Sequence, residues 1–184
     1  MARAADGRTG RAAALGLAAA VVVVDQVTKV WAERELADRD VSVVGDVLTL
    51  TLVRNPGSAF GFGAGGTLLR TVLALAVVAA VLVVLARARS RAWALVLGLV
   101  AGGGVGNLVD RFVRDPGPLR GEVVDFLRLP SWPVFNVADM AVTVGALGLA
   151  LLSLRGVPLR PEEPAGTEDA TTTDGSGSRR AGRR

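Results

Sequence analysis

The stretch VFNVADMAVTVGALGLALLSL, residues 134–154, has the length and composition of a helix that crosses a lipid bilayer. Its 21 residues match the roughly 20 that a membrane-spanning helix needs. It nevertheless carries Asn136 and Asp139 near its start. An ionised carboxylate within a membrane segment is energetically unfavourable, and such residues are usually functional or paired. We therefore expect Asp139 to belong to a polar site.

Three further apolar segments precede this one, at residues 12–32, 68–86 and 92–109. Their lengths are 21, 19 and 18 residues, so each is long enough to span a membrane. Half of the chain, 51% of 184 residues, is hydrophobic, which is typical of a membrane protein rather than of a soluble domain this small. The sequence predicts an all-α membrane protein with four transmembrane helices.

The arginines predict how these helices are oriented. There are eight arginines in the 22 residues of segments 1–11, 87–91 and 155–160, against seven in the 56 residues of segments 34–66 and 111–133. Because cytoplasmic segments are enriched in Lys and Arg, we expect both termini to be cytoplasmic. The chain then divides into a cytoplasmic N-terminal segment (1–11), a four-span domain (12–155) and a disordered cytoplasmic tail (156–184) rich in Pro, Glu, Thr, Gly and Ser.

The connection between the first two spans has the pattern of a β-strand. Leucine and threonine alternate over residues 48–52, after a turn signal at Gly45 and Asp46. Alternation with a period of two residues is typical of a strand with one buried face. We expect a small extracytoplasmic β-sheet between helices 1 and 2 that lies on the membrane surface.

Strongly polar residues are concentrated at one end of the predicted bundle. In a four-span protein, odd-numbered spans end and even-numbered spans begin at the same surface. The residues concerned are Asp25, Thr28, Lys29, Asn107, Asp110, Arg111, Asn136 and Asp139. This distribution predicts one polar site near the outer leaflet, facing the bundle interior. It disfavours a transporter or proton channel, whose ion path needs polar residues through both leaflets.

The composition excludes several classes of enzyme. The chain has no cysteine and no histidine, so thiol nucleophiles, Ser-His-Asp triads and histidine-containing zinc sites are unavailable. The net charge of +4 comes from arginines between spans and at the tails, which we interpret as topology signals and not as nucleic-acid contacts. No cofactor is implied, and catalysis would depend on Asp, Glu, Lys, Ser or Thr.

Two aspartates close to the fourth span can form a catalytic pair. Asp125 lies just before this span and Asp139 just inside it, and Pro130 and Pro133 allow the chain between them to turn back. Two carboxyl groups in one site do not both ionise readily, so one holds a proton. Such a pair can deprotonate a water molecule and protonate a peptide carbonyl without a metal or a nucleophilic side chain.

Other interpretations of these acids remain open at this stage. Asp139 is also suited to capping its helix or pairing with an arginine. Asp110 competes with Asp125 as its partner, although the neighbouring Arg111 favours a buried structural Asp110–Arg111 pair. A divalent metal held between Asp125 and Asp139 is compatible with their oxygen ligands.

The remaining polar residues each have a structural and a functional interpretation. Asp25 and Lys29 are four residues apart on one helix face, which predicts an ion pair. This pair either makes a charged helix end tolerable in the membrane, or it holds the outer loops or the backbone of a bound substrate. The amides of Asn55 and Asn136 can orient the aspartates or hold an extended peptide, and Asn136 also suits an N-cap. The GGGVGN run, 102–107, predicts close helix packing.

Five sequence blocks together resemble those of the lipoprotein signal peptidase family, the bacterial signal peptidase II. The blocks are DQVTK (25–29), RNPGSAFGFG (54–63), GGGVGNLVDR (102–111), VVDF (123–126) and FNVAD (135–139). They occur in the family's order, and the resemblance covers about residues 12–155.

The resemblance implies an aspartic endopeptidase of the bacterial cytoplasmic membrane with its active site near the outer leaflet. It implies removal of the signal peptide from diacylglyceryl-modified prolipoproteins, by cleavage before the lipidated cysteine, and inhibition by globomycin. We further expect a monomer surrounded by membrane lipids, with no metal and no nucleic-acid partner. The implied catalytic residues are Asp125 and Asp139. The implied supporting residues are Asp25, Lys29, Asn55, Asn107, Asp110, Arg111 and Asn136.

Overall fold

The computed structural model describes residues 2–57 and 65–160, with side chains from residues 9 and 66 onward in these two ranges. In chain order the elements are α1 (Ala2–Glu35), β1 (Val41–Val44), β2 (Leu48–Asn55), α2 (Gly65–Arg87), α3 (Arg91–Val113), β3 (Val123–Arg128) and α4 (Val137–Leu154). Part of the RNPGSAFGFG block and most of the expected tail lie outside the described residues.

All four helices are long and apolar enough to cross a membrane. The spans are Thr9–Glu35, Gly66–Arg87, Arg91–Val113 and Val137–Leu154. Their outward faces carry large exposed apolar side chains, as lipid-facing helices do. The prediction of a four-helix membrane protein is therefore confirmed.

Helix α3 lies at the centre of the bundle and contacts each of the other three helices. Its small residues make this possible. A β-carbon on Gly102 would lie 2.8 Å from the carbonyl oxygen of Ala18, and one on Gly106 would lie 2.7 Å from Oδ2 of Asp25. The glycine run of α3 thus brings helix backbones close together, as the sequence predicts.

The two ends of the bundle differ in their buried residues. At one end, which we call the apolar end, Ala14, Leu85, Ala88, Ala94 and Leu97 form a hydrophobic cluster. At the other, the polar end, the buried residues of the described chain include Asp25, Lys29, Asp110, Arg111 and Asn136. The start of the expected tail packs at the apolar end, where the backbone N–H groups of Arg89 and Ser90 donate to the carbonyl of Leu159.

A three-stranded antiparallel sheet in the order β1-β2-β3 lies at the polar end. The predicted strand and the turn before it are present, and Gly45 adopts φ +46° at that turn. The third strand comes from the connection between α3 and α4, where the sequence predicted no strand. Its residues 123–126 are all buried, so both faces are covered and no apolar–polar alternation marks it.

The sheet is attached to the end of α1 by a small apolar cluster. Ala32 of α1 and Leu36, the residue that follows this helix, pack with Phe126 of β3. Leu50 and Leu52 of β2 pack against them. The leucine face of β2 is therefore directed towards the helix, as the alternation predicts. This packing fixes the height of β3, and with it Asp125, relative to the helix ends.

Candidate active site

Asp125 lies in the middle of β3, opposite Val53 of β2. Its side chain is only 2% exposed, and each carboxyl oxygen accepts a hydrogen bond from an amide. Nδ2 of Asn55 donates to Oδ2 at 2.8 Å, and Nδ2 of Asn136 donates to Oδ1 at 2.7 Å. Strand pairing and two asparagines thus fix the orientation of this carboxyl group.

The surroundings of Asp125 shift its ionisation. Burial raises the pKa of Asp125 to about 6, and the negative charge of Asp139 acts in the same direction. The amide donors of Asn55 and Asn136 oppose the shift because they stabilise the ionised form. Asp125 therefore exchanges its proton in the pH range where enzymes use a general acid or base.

Asp139 lies in the first turn of α4 and is held by two asparagines. Nδ2 of Asn107 donates to its Oδ1 at 2.8 Å, and the backbone N–H of Asn136 donates to its Oδ2 at 3.2 Å. The side chain of Asn136 in turn accepts from the backbone N–H of Asp139 at 3.0 Å, which completes a capping box. The helix-capping interpretations of Asp139 and Asn136 are thus confirmed.

Asn136 connects the two aspartates, because it donates to Asp125 through its side chain and to Asp139 through its backbone. The chain between them turns back as the prolines predict. Phe135 pairs with Leu127 in a short antiparallel bridge, with backbone N···O distances of 2.8 and 3.0 Å. This reversal brings both carboxyl groups into one site.

Asn107 is itself oriented by a buried lysine. Nζ of Lys29 donates to Oδ1 of Asn107 at 3.0 Å, and Nδ2 of Asn136 donates to the same oxygen at 3.1 Å. With its oxygen accepting two hydrogen bonds, the amide of Asn107 presents its NH₂ group to Asp139. The position of Lys29 therefore determines that the NH₂ group of Asn107, and not its carbonyl oxygen, faces Asp139.

Lys29 also pairs with two fully buried carboxylates. Its Nζ lies 2.8 Å from Oδ2 of Asp25 and 2.8 Å from Oδ2 of Asp110, and all three side chains are 0% exposed. The predicted Asp25–Lys29 ion pair is confirmed. Asp25 also accepts the backbone N–H of Ala138 at 2.9 Å, which ties α1 to the first turn of α4.

The expected Asp110–Arg111 pair is wrong. Asp110 pairs with Arg114, whose Nε lies 2.9 Å from Oδ1, because residues four apart share a helix face whereas adjacent residues do not. Asp110 also accepts the backbone N–H of Val124 at 3.2 Å and so holds β3. Arg111 instead donates to backbone carbonyls, those of Gly121 at 2.8 Å and Asn55 at 3.2 Å.

All nine site residues predicted from the sequence are thus brought together at the polar end. Two further residues of the network were missed. Nε2 of Gln26 donates to the carbonyl of Gly106 at 3.0 Å and to Oδ1 of Asp110 at 3.1 Å. Arg114 joins Asp110 to Glu33 through a second ion pair. Two features of the sequence indicate these residues: Gln26 is adjacent to Asp25, and Arg114 is four residues after Asp110.

The two aspartates line a cavity of about 270 Å³ bounded by α2, α3, the sheet and the start of α4. Its polar lining includes Asn55, Arg70, Asn107, Arg111, Asp125 and Asp139. Within the described ranges, no group of three or more His, Cys, Asp or Glu residues could hold a metal ion. The chemistry that this lining supports is proton transfer by an acid pair to and from a bound amide and water.

Comparisons with known proteins agree with this geometry. A family model described as Signal peptidase (SPase) II matches residues 17–155. The lipoprotein signal peptidase of Mycobacterium leprae is 49% identical over 143 residues, which cover 77% of this chain and 71% of that protein. The lipoprotein signal peptidase of Rhodococcus jostii is 47% identical over 152 residues, covering 82% and 74%.

A solved bacterial membrane enzyme has the same fold, with a TM-score of 0.65 at 24% identity over 78% of this chain and 94% of that one. Four spans, a sheet at the polar end and two aspartates lining one cavity define the class as a membrane-embedded aspartic protease. The chain belongs to the signal peptidase II family. The resemblance inferred from the five sequence blocks is confirmed.

Proposed function

We propose that Asp125 and Asp139 are the catalytic pair of this enzyme. As a member of the signal peptidase II family, the protein is an intramembrane aspartic endopeptidase that removes signal peptides from prolipoproteins. The observation that carries the assignment is that Asn136 donates to both carboxyl groups, through its side chain to Asp125 and through its backbone N–H to Asp139, where both line one cavity. No other two described acids share both this cavity and a common hydrogen-bonding partner.

The mechanism uses one proton shared by the pair. The ionised carboxyl group takes a proton from a water molecule, which attacks the carbonyl carbon of the scissile peptide bond. The neutral carboxyl group donates its proton to the carbonyl oxygen. As the tetrahedral intermediate collapses, the first carboxyl group passes the proton it took from water to the leaving nitrogen, and the second takes back a hydroxyl proton. The pKa of about 6 for Asp125 suits this exchange. Asn55 and Asn107 hold the two groups in place.

The substrate is proposed to be a diacylglyceryl-modified prolipoprotein, cleaved before its lipidated cysteine. The apolar outward faces of the helices suit a substrate that is itself embedded in lipid. The sheet at the polar end is placed to cradle the part of the substrate at the membrane surface. Globomycin would inhibit by occupying the cavity of Asp125 and Asp139. We expect the enzyme to act as a monomer without a metal or other cofactor.

The enzyme is placed by this proposal in the bacterial cytoplasmic membrane, with both termini cytoplasmic and the polar end at the outer leaflet. The arginine density supports this orientation. Because the chain has no cysteine, single cysteines report topology cleanly. A membrane-impermeant maleimide should label Asp46→Cys in intact spheroplasts, but Arg87→Cys only after permeabilisation. The opposite pattern would reverse the orientation.

The function is tested by gel-shift cleavage of a lipidated prolipoprotein. Wild-type enzyme should release the signal peptide and globomycin should abolish release. Asp139→Asn should lower the rate by more than about 100-fold, as expected when a general acid or base is lost. The control is Asp38→Asn, the same change at an exposed acid between α1 and β1, which should cleave like wild type. Near-normal cleavage by Asp139→Asn would overturn the assignment.

A further inference from the structure

Arg70 in the second turn of α2 lines the same cavity as Asp125 and Asp139. Its Nε is buried and has no hydrogen-bonding partner among the residues that the structure describes. The other arginine of the cavity, Arg111, is engaged with backbone carbonyls of Asn55 and Gly121. Of the two cavity arginines, Arg70 is therefore the one with an unused buried donor.

The side chain of Arg70 is held close to the acid pair by the turn that follows β2. Its guanidinium group lies against Gly57, where a β-carbon would contact Nε and lie 2.9 Å from Cζ. The backbone N–H of Gly57 donates to Oδ1 of Asn55 at 2.7 Å, and Nδ2 of the same Asn55 donates to Asp125. The side chain of Asn55 thus links the turn at Gly57, which Arg70 contacts, to Asp125.

A buried donor without a partner among the described residues is unfavourable by itself. The Nε–H of Arg70 has lost hydration that only a hydrogen-bonding partner restores. The charge of Arg111 also repels that of Arg70 across the cavity. An apolar side chain would fill the space over Gly57 without these penalties. The arrangement is explained if Arg70 pairs with an anion that enters the cavity during the reaction.

Hydrolysis itself generates such an anion. Addition of water to the peptide bond breaks the C–N bond and yields a carboxylate on the signal peptide and an ammonium group on the mature chain. The carboxylate forms beside a pair of aspartates that already carries a negative charge. A guanidinium group binds a carboxylate through two parallel hydrogen bonds, and these charged bonds are stronger than neutral ones.

We propose that Arg70 binds the new C-terminal carboxylate of the cleaved signal peptide. The inference rests on the proposed function and extends it to the product. Arg70 stabilises a charge that is absent from the substrate, so it favours the cleaved state over the intact peptide. It is a product-binding residue and takes no part in proton transfer.

The test compares two signal peptides of identical sequence, one ending in a carboxylate and one in a carboxamide. Their inhibition constants are measured in the cleavage assay and their dissociation constants by direct binding to the full-length enzyme. Wild-type enzyme should bind the carboxylate about 10-fold more tightly, as expected for a hydrogen bond between charged groups. Arg70→Gln should reduce this ratio to near one, and Arg70→Lys should retain part of it.

The matched control is Arg87→Gln, the same change at an exposed position on the far end of α2, which should keep the wild-type ratio. Arg70→Met, which keeps the apolar stem, replaces Arg70→Gln if that variant does not fold. A wild-type ratio of one overturns the inference, as does an unchanged ratio in the neutral variants. Failure of wild-type enzyme to cleave a lipidated prolipoprotein would contradict the proposed function instead, because direct binding still reports the ratio.

Discussion

The polar and apolar ends of the bundle are stabilised in different ways. At the apolar end, small and branched apolar residues pack together, and Arg11 donates to the backbone carbonyl of Ala86 at an exposed position. At the polar end, Lys29 is fully buried between two carboxylates. Apolar packing tolerates many substitutions of similar volume, whereas a buried charge depends on each of its partners. The polar end is therefore organised to position functional groups rather than to maximise stability.

Lys29→Met should have the largest effect on stability. It leaves Asp25 buried without its cation and Asp110 with Arg114 alone, and breaking a buried ion pair in this way destabilises by about 3–5 kcal/mol. Asn107 also loses the donor that orients it towards Asp139, so cleavage should be lost. Arg11→Met at the apolar end should change the free energy of unfolding by less than about 0.5 kcal/mol. Unfolding in detergent and the cleavage assay measure both variants, and equal destabilisation would contradict the comparison.

Gly106→Ala should have the next largest effect. Its β-carbon would lie 2.7 Å from Oδ2 of Asp25 and 3.2 Å from Cβ of Ala138, so α1 and α4 would be forced away from α3. Overpacking of this kind destabilises by about 1–3 kcal/mol. The matched change Gly16→Ala, on α1 where the new methyl group meets nothing within 4 Å, should stabilise by up to about 1 kcal/mol because alanine favours helix. A stable, active Gly106→Ala enzyme would show that the close approach is not required.

Asn55→Ala should have the smallest effect on folding but a defined effect on pH dependence. The amide of Asn55 stabilises ionised Asp125, so its loss should raise the pKa of Asp125 above about 6. If the ionised form is required, the acidic limb of the activity profile moves to higher pH; if the neutral form is required, the alkaline limb does. Ser42→Ala in the exposed β1 should leave the profile unchanged. A shift to lower pH would contradict the assigned hydrogen bond.

Much of this architecture follows from the sequence because its signals are local. Apolar segments of the right length predict the helices, and leucine–threonine alternation predicts β2. The strand β3 was missed because burial on both faces removes alternation. Adjacency in sequence favours Arg111 as the partner of Asp110, whereas helix geometry places Arg114, four residues on, against it. The bond from Lys29 to Asn107 depends on the packing of α1 against α3, which no local pattern encodes.

The central claim is that Asp125 and Asp139 act as one catalytic unit. It is tested most directly by kcat/KM for lipidated prolipoprotein with Asp125→Asn, Asp139→Asn and the double variant. Groups that act as a unit are strongly non-additive, so each single change should abolish most of the activity and the double variant should be no slower than either. Additive losses in the double variant, or a single variant that cleaves near the wild-type rate, would contradict the account.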